Sequence, residues 1–334
     1  MGGKRGRGCH EAWAVGLLVA LALAPSVPAS AGQIRLGTSL SPPSLDAIQP
    51  YVASEVGIFR KHGLDVRVSE FRGGTTTMKA LLAGELDVGV MGLTDAIVAA
   101  SKGVKLRVFM LASQVTPYHL VARKETGGTL ESLAGRNGGI SSVGSLAYHI
   151  TRMVLSRSGV DSDRMKYIVV GSPADRFEAL VAGKIDAALV MDTEVAKLAQ
   201  YPEVVSLARA AAVPPEIPYF AGMAKEEYIE RNPEAIQRLT TGLIETNRWS
   251  VANKAGTVEV PQKLRPEESP EVLGRAHDLR DRRLWGLNGD LAEAPYAATA
   301  EFLVKVGFVT SPIAYQRLYD RRFVDRALAE LGRM

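Results

Sequence analysis

Leu81-Leu82-Ala83-Gly84-Glu85-Leu86-Asp87 returns 99 residues later as Leu180-Val181-Ala182-Gly183-Lys184-Ile185-Asp186. In each copy an apolar helical pattern runs into a glycine, and an aspartate then opens a short apolar run. Glycine is the residue that ends a helix most readily, because it takes the left-handed conformation at the position after the cap. A helix that stops at glycine and turns into a strand is one unit of an α/β layer. Two such units predict two α/β lobes of similar construction, and their separation is far too long for a solenoid repeat.

The same alternation extends outward from both copies. Apolar stretches at Ile34–Thr38, 66–71, 87–91 and 106–112 read as strands, with helical patterns at 45–62, 75–83 and 94–102 between them. A second set follows, with strands at 120–123, 139–142, 167–170 and 186–191 and helices at 130–134, 146–158, 173–182 and 193–199. Strands separated by helices predict parallel sheets. After a strand at 219–223 the pattern becomes helical at 225–231, 233–253, from 270, at 291–306 and at 323–331. The polar, proline-punctuated stretch 255–270 reads as a surface loop.

With 334 residues, 40 Lys+Arg against 36 Asp+Glu and 46% hydrophobic residues, the chain has the composition of a globular protein. Lys4, Arg5 and Arg7 precede an apolar run at 12–24, and Ala29-Ser30-Ala31 fits a small-residue cleavage site. That order is a secretory leader over residues 1–31, and its apolar run is too short to span a bilayer. Removing it brings the formal charge of +4 closer to neutrality, so no nucleic-acid partner is implied. It also removes Cys9, the only cysteine, leaving no disulfide, thiolate ligand or cysteine nucleophile. The expectation is an exported, periplasmic monomer that does not insert into the membrane.

The strand-to-helix junctions carry the functional signal. They read Thr38-Ser39, Gly73-Gly74-Thr75-Thr76, Gly92-Leu93-Thr94-Asp95, Ser141-Ser142-Val143-Gly144-Ser145, Gly171-Ser172 and Asp192-Thr193. Each suits a helix cap, and capping alone explains any one of them. Together they present backbone N–H groups at the carboxyl ends of two sheets, where open α/β folds bind ligands. The candidate ligand-binding residues are therefore Thr38, Ser39, Gly74, Thr75, Thr76, Gly92, Thr94, Ser142, Gly144, Ser145, Leu146, Ser172 and Asp192. Tyr51, Tyr118 and Tyr219 join them as rings that either stack on a ligand or pack. The N–H groups of Thr75, Thr76, Ser145 and Leu146 would face an anionic or carbonyl-bearing end. Asp192 and Glu194 would face an amine, amidine or hydroxyl, unless Asp192 only caps its helix. Asp175 reads as a first-turn acid and Arg176 as a surface base at the border of the crevice. His62, His119, His149 and His277 show no metal-ligand spacing, and no G-x-S-x-G, P-loop or G-x-G-x-x-G occurs. No catalytic residue, metal ligand or cofactor is expected.

Several segments together resemble a family. They are Tyr51-Val52-Ala53-Ser54-Glu55-Val56-Gly57-Ile58-Phe59, His62-Gly63-Leu64-Asp65-Val66, residues 82–92 and Ser132-Leu133-Ala134-Gly135-Arg136. Ala182-Gly183-Lys184-Ile185-Asp186-Ala187-Ala188, Arg231-Asn232-Pro233-Glu234 and Glu301-Phe302-Leu303-Val304-Lys305-Val306-Gly307-Phe308 complete the set. Their combination is similar to the substrate-binding proteins of ABC importers in the nitrate/sulfonate/taurine and thiamine-precursor group. The resemblance implies a type II periplasmic-binding-protein fold: two α/β lobes joined by two crossover strands near 116–119 and 218–221, with C-terminal helices. Lobe 1 would be 32–117 with 221–334, and lobe 2 would be 118–220. It further implies capture of a small solute, such as an amino-heterocycle or another small polar or anionic metabolite, for a cognate permease and its ATPase. One departure stands out. Many members of that group carry an aromatic residue or a Trp-Pro pair after the second-lobe strand, where this chain has Met191-Asp192-Thr193-Glu194, which weakens a preference for simple sulfonates. A periplasmic sensory subunit is the alternative binding role. Enzymes of thiamine-pyrimidine synthesis share the fold, but they use a cysteine-rich motif that is missing here.

Overall fold

The computed structural model describes Gly2 and residues 32–41, 43–143, 145–213 and 216–334. The leader expected at 1–31 therefore falls, apart from Gly2, outside the described residues. The first lobe-like half runs β1 (Ile34–Thr38), α1 (Gln49–Glu55), α2 (Ile58–Lys61), β2 (Val66–Glu70), α3 (Gly74–Ala83), β3 (Val88–Gly92), α4 (Leu93–Ser101) and β4 (Leu106–Leu111). The second runs β5 (His119–Arg123), β6 (Asn137–Ile140), α5 (Leu146–Arg157), β7 (Lys166–Val169), α6 (Pro173–Val181), β8 (Ala187–Val190), α7 (Asp192–Lys197) and β9 (Val204–Arg209). The chain then returns through β10 (Phe220–Lys225) and α8 (Glu226–Arg231) to the long α9 (Pro233–Ala252). It finishes with α10 (Lys254–Leu264), α11 (Pro270–Leu279), α12 (Glu293–Lys305), α13 (Tyr315–Leu318) and α14 (Arg322–Leu331).

Two five-stranded sheets result, ordered β2-β1-β3-β10-β4 and β7-β6-β8-β5-β9. The orders are equivalent: second strand, first, third, a reversed strand, then the last. The paired heptads occupy the same place in each. Gly84 and Gly183 have φ of +78° and +70°. Asp87 then accepts the Arg35 N–H at 2.9 Å, and Asp186 accepts the Asn137 N–H at 2.8 Å. Each aspartate thus ties the start of its own strand to the neighbouring first strand of its sheet.

Three expectations need correction. The sheets are mixed and not parallel, because β10 runs antiparallel to β3 and β4, and β5 antiparallel to β8 and β9. The helix expected over 45–62 is two short helices separated by Gly57. The stretch 255–270 is largely the helix α10, which tolerates Pro261 near its end and buries Thr257 and Val260.

The chain passes between the sheets through residues 112–118 and, among the described residues, 210–213 and 216–219, and these crossovers are bound to one another. The N–H groups of Ala112 and Ser113 donate to the Phe220 carbonyl at 2.7 and 3.1 Å, and the Tyr219 N–H donates to that of Ser113 at 2.9 Å. A separate small core of Leu45, Ile48, Val52, Ala196, Val260, Val272 and Ala276 draws on α1, α7, α10 and α11. Lys197 on α7 donates to Glu268, just ahead of α11, at 2.5 Å. The α10–α11 pair thereby straps the first half to the second.

Candidate functional site

The described junction residues lie at the carboxyl ends of the strands. Thr38 and Ser39 end β1 buried, and Thr38 Oγ1 lies 3.4 Å from the Tyr51 hydroxyl. Gly74 opens α3 beside the exposed Thr75 and Thr76, and Gly92 caps α4 ahead of the buried Thr94. In the second half Ser142 is exposed, and Gly144 lies outside the described residues. Ser145 caps α5 by accepting the Tyr148 N–H at 3.2 Å, with the half-buried Leu146 following it. Ser172 caps α6 in a reciprocal box with Asp175: each side chain accepts the other's backbone N–H, at 3.1 and 2.8 Å. Satisfying first-turn N–H groups is what these two serines do.

Tyr118 and Tyr219 sit on the two crossovers with hydroxyls 3.2 Å apart and rings edge to face at 5.6 Å. Both are buried, and burial pushes both phenols up. At ordinary pH they are neutral hydroxyls that can donate or accept.

Asp192 is neither a cap nor an open carboxylate. The cap of α7 is Met191, whose N–H is accepted by Glu194 at 3.1 Å, and burial holds the Glu194 carboxyl up. Asp192 Oδ1 is 3.1 Å from His119 Nε2, and Oδ2 is 3.6 Å from Arg280 Nη1. The same Arg280 nitrogen donates to Asp46 at 2.5 Å, its Nη2 donates to the Leu284 carbonyl, and its plane covers Trp285 at 4.6 Å. All four charged or titratable side chains are buried. Burial raises the Asp46 carboxyl, and Arg280 offsets that in part. This network joins the loop after β1, the second sheet and the C-terminal segment.

Two residues outside the expected set complete the charge pattern. Arg176, read from sequence as a surface base, is 1% exposed. Its Nε donates to the Leu189 carbonyl at 2.9 Å and its Nη1 to that of Gly171 at 2.6 Å, both at the carboxyl ends of strands. Its Nη2 has no acceptor among the described residues. The signal was its place one turn before the buried Leu180, on the apolar face of α6. Asp95 lies in the third position of α4, with its carboxylate facing the Gly92 N–H and packed against Gly74 so closely that a Cβ there would overlap it. Burial pushes Asp95 up to about 6. His149, by contrast, packs edge-on against Phe308 at 4.4 Å and is drawn down to about 4 by burial, so it is a neutral packing residue.

The Asp95 carboxyl titrates above the ordinary carboxylate value of about 3.9, so folding favours its protonated form. Its cost to stability is absent below about pH 4, grows through about pH 6 and is complete above that. Asp95→Asn should therefore stabilise the unliganded protein by about 1–2 kcal/mol at pH 8, after allowance for partial exposure. The gain should vanish near pH 4. Urea unfolding at the two pH values measures it, and an equal gain at both would contradict this origin.

The family model described as NMT1/THI5 like matches residues 45–253. A protein of Brucella abortus described as a binding protein is 27% identical over 255 residues, covering 75% of this chain and 76% of that one. The taurine-binding periplasmic protein of Escherichia coli is 23% identical over 277 residues, covering 80% and 86%. Among solved structures, the alkanesulfonate-binding protein of Xanthomonas axonopodis bound to MOPS superimposes with a TM-score of 0.73 at 17% identity, covering 88% of this chain and 99% of that one. The fold is that of periplasmic binding proteins. Since the matched region spans more than half of the sequence, the chain belongs to the NMT1/THI5-like family.

Proposed function

We propose that this protein captures a small polar solute between two closing lobes and delivers it to the permease and ATPase of an ABC importer. The observation that carries the reading is the pair of buried crossover tyrosines, Tyr118 and Tyr219, with hydroxyls 3.2 Å apart between two sheets of equivalent strand order. A ligand held there by residues of both halves would favour their closed arrangement. The moving bodies would be 32–117 with 221–334, and 118–220, bridged by α10–α11. The junction residues named above, apart from Asp192 in its buried network with His119 and Arg280, would line the crevice. The named relatives are binding proteins, which supports capture without turnover. A periplasmic location after loss of the leader at residues 1–31 is part of the proposal, supported by the periplasmic relative. No helix among the described residues is long and apolar enough to cross a membrane.

A thermal-shift screen of sulfonates, nitrate, carboxylates, amino acids and aminopyrimidines tests it. The true solute at a hundred times its dissociation constant should add about 2.7 kcal/mol to stability. Catalytic conversion of a stabilising solute would move the protein to another class, and a screen without any stabiliser would count against capture.

A further inference from the structure

The contact between α7 of the second half and α11 of the C-terminal segment is built so that it can part. The two helices run antiparallel and are joined at both ends. Asp192, at the start of α7, faces Arg280 just past α11 at 3.6 Å. Lys197, at its end, donates to Glu268 just ahead of α11 at 2.5 Å. Between these ends lies a thin apolar seam. Of the seven buried residues in that small core, the second half contributes Ala196 alone. Leu45, Ile48 and Val52 come from α1 and the loop before it, and Val260, Val272 and Ala276 from the α10–α11 pair. Each charged group at the seam also has a partner on its own side. Asp192 has His119 at 3.1 Å, Arg280 has Asp46 at 2.5 Å, and Glu268 has Arg265 at 2.8 Å. The Lys197 side chain is 22% exposed and reaches water without Glu268. Breaking a buried ion pair is costly when it leaves a charge alone in the interior. Separation of α7 from α11 leaves none.

We propose that α7 docks reversibly on α11 as a latch that holds the two halves in their closed arrangement before any solute arrives. The inference rests on the capture reading and adds a control to it. A solute that binds only the closed arrangement has its dissociation constant divided by the closed fraction. A latch that keeps this fraction high removes that loss. It acts equally on every solute, because Ala196, Lys197, Glu268 and Arg280 lie outside the residues proposed to line the crevice. Affinity is thereby set in part by residues that touch no ligand.

Spin labels on one cysteine in each half read the latch without any solute. Cys9→Ser removes the only native cysteine, and Lys102→Cys with Arg157→Cys places labels on exposed helix ends of the two halves. In the unliganded protein, pulsed dipolar spectroscopy should give one dominant distance, that of the present structure. Lys197→Met should raise the population at longer distance roughly tenfold, the lower worth of a charge-assisted hydrogen bond. Glu268 keeps Arg265 in that variant, so the α10–α11 pair stays folded. Ala196→Leu, whose side chain overfills the seam, should open the halves through packing alone. Lys254→Met is the control: it removes a 2.6 Å ion pair to Asp278 within the α10–α11 pair and should leave the distances unchanged. Unchanged distances in both latch variants, or a long distance already dominant before them, overturn the latch. Equal opening in the control assigns the effect to the fold of the α10–α11 pair and overturns it too. None of these results touches capture itself, which the solute screen decides.

Discussion

Arg280→Met should lower the stability of the protein by about 3–5 kcal/mol, the usual cost of removing one partner from a buried ionic group. The arginine side chain is fully buried and stands between Asp46 at 2.5 Å and Asp192 at 3.6 Å. Methionine fills much of the same volume against Trp285, so packing is largely kept and the electrostatic loss is isolated. What remains is two buried carboxylates that share no cation beyond the contact of Asp192 with His119. Arg280 offsets the burial that raises the Asp46 carboxyl, so without it that carboxyl would be raised further. The deficit should therefore be largest at neutral pH and shrink as pH falls through the folded pKa toward the ordinary aspartate value of about 3.9, below which both folded and unfolded forms are protonated. Asp46→Asn added to Arg280→Met should restore part of the loss, because one of the stranded charges is gone. Urea unfolding of the single and double variants at pH 7 and pH 5 measures this. A loss under 1 kcal/mol, or one that grows on acidification, would remove the network from the account.

The second large effect is expected at Gly286, which lies against the first crossover. Its φ is +53°, and a Cβ there would come within 2.5 Å of the Ala112 carbonyl oxygen. Around it the C-terminal segment is tied to that crossover: Gln114 N–H donates to the Arg283 carbonyl at 3.0 Å, and Leu111 N–H donates to that of Gly289 at 2.7 Å. Ser113 Oγ adds a 2.6 Å bond to the Leu284 carbonyl. Gly286→Ala combines a left-handed backbone, costing about 1–2 kcal/mol, with a clash against backbone that adds about 1–3 kcal/mol. A total near 2–5 kcal/mol is expected in chemical unfolding. Gly103→Ala is the control, since Gly103 has a φ of +85° with nothing within 4 Å of a Cβ. It should show the backbone cost alone, and equal losses at the two positions would mean that no clash exists at the crossover.

The division of this molecule into two like halves is legible in the paired heptads, because the glycine and the aspartate each have a local job. The glycine stops a helix, and the aspartate accepts a neighbouring strand's N–H. Strand direction is less legible, since β5 and β10 carry the same apolar pattern whether they run parallel or antiparallel. Strand β9, at Val204–Arg209, has no apolar run to announce it, because only Val204 in it is buried. The helix α10 hides behind polar residues and Pro261. In the site, Ser145 and Ser172 announce caps by type and position. The partnership of Asp46, His119, Asp192 and Arg280 could not be read, because its members are spread over more than 200 residues and no local pattern links them. Arg176 was legible in part: its helical spacing to Leu180 places it on the apolar face, against the common expectation that arginine is exposed.

Capture without turnover is the central claim, and calorimetric titration of the strongest-stabilising solute tests it most directly, with mass spectrometry of the solute recovered afterwards. One equivalent should bind saturably per chain, with a negative heat-capacity change from the surface buried on closure, and return chemically unchanged. Recovery of an altered solute, or saturable binding at no solute from any class screened, would contradict it.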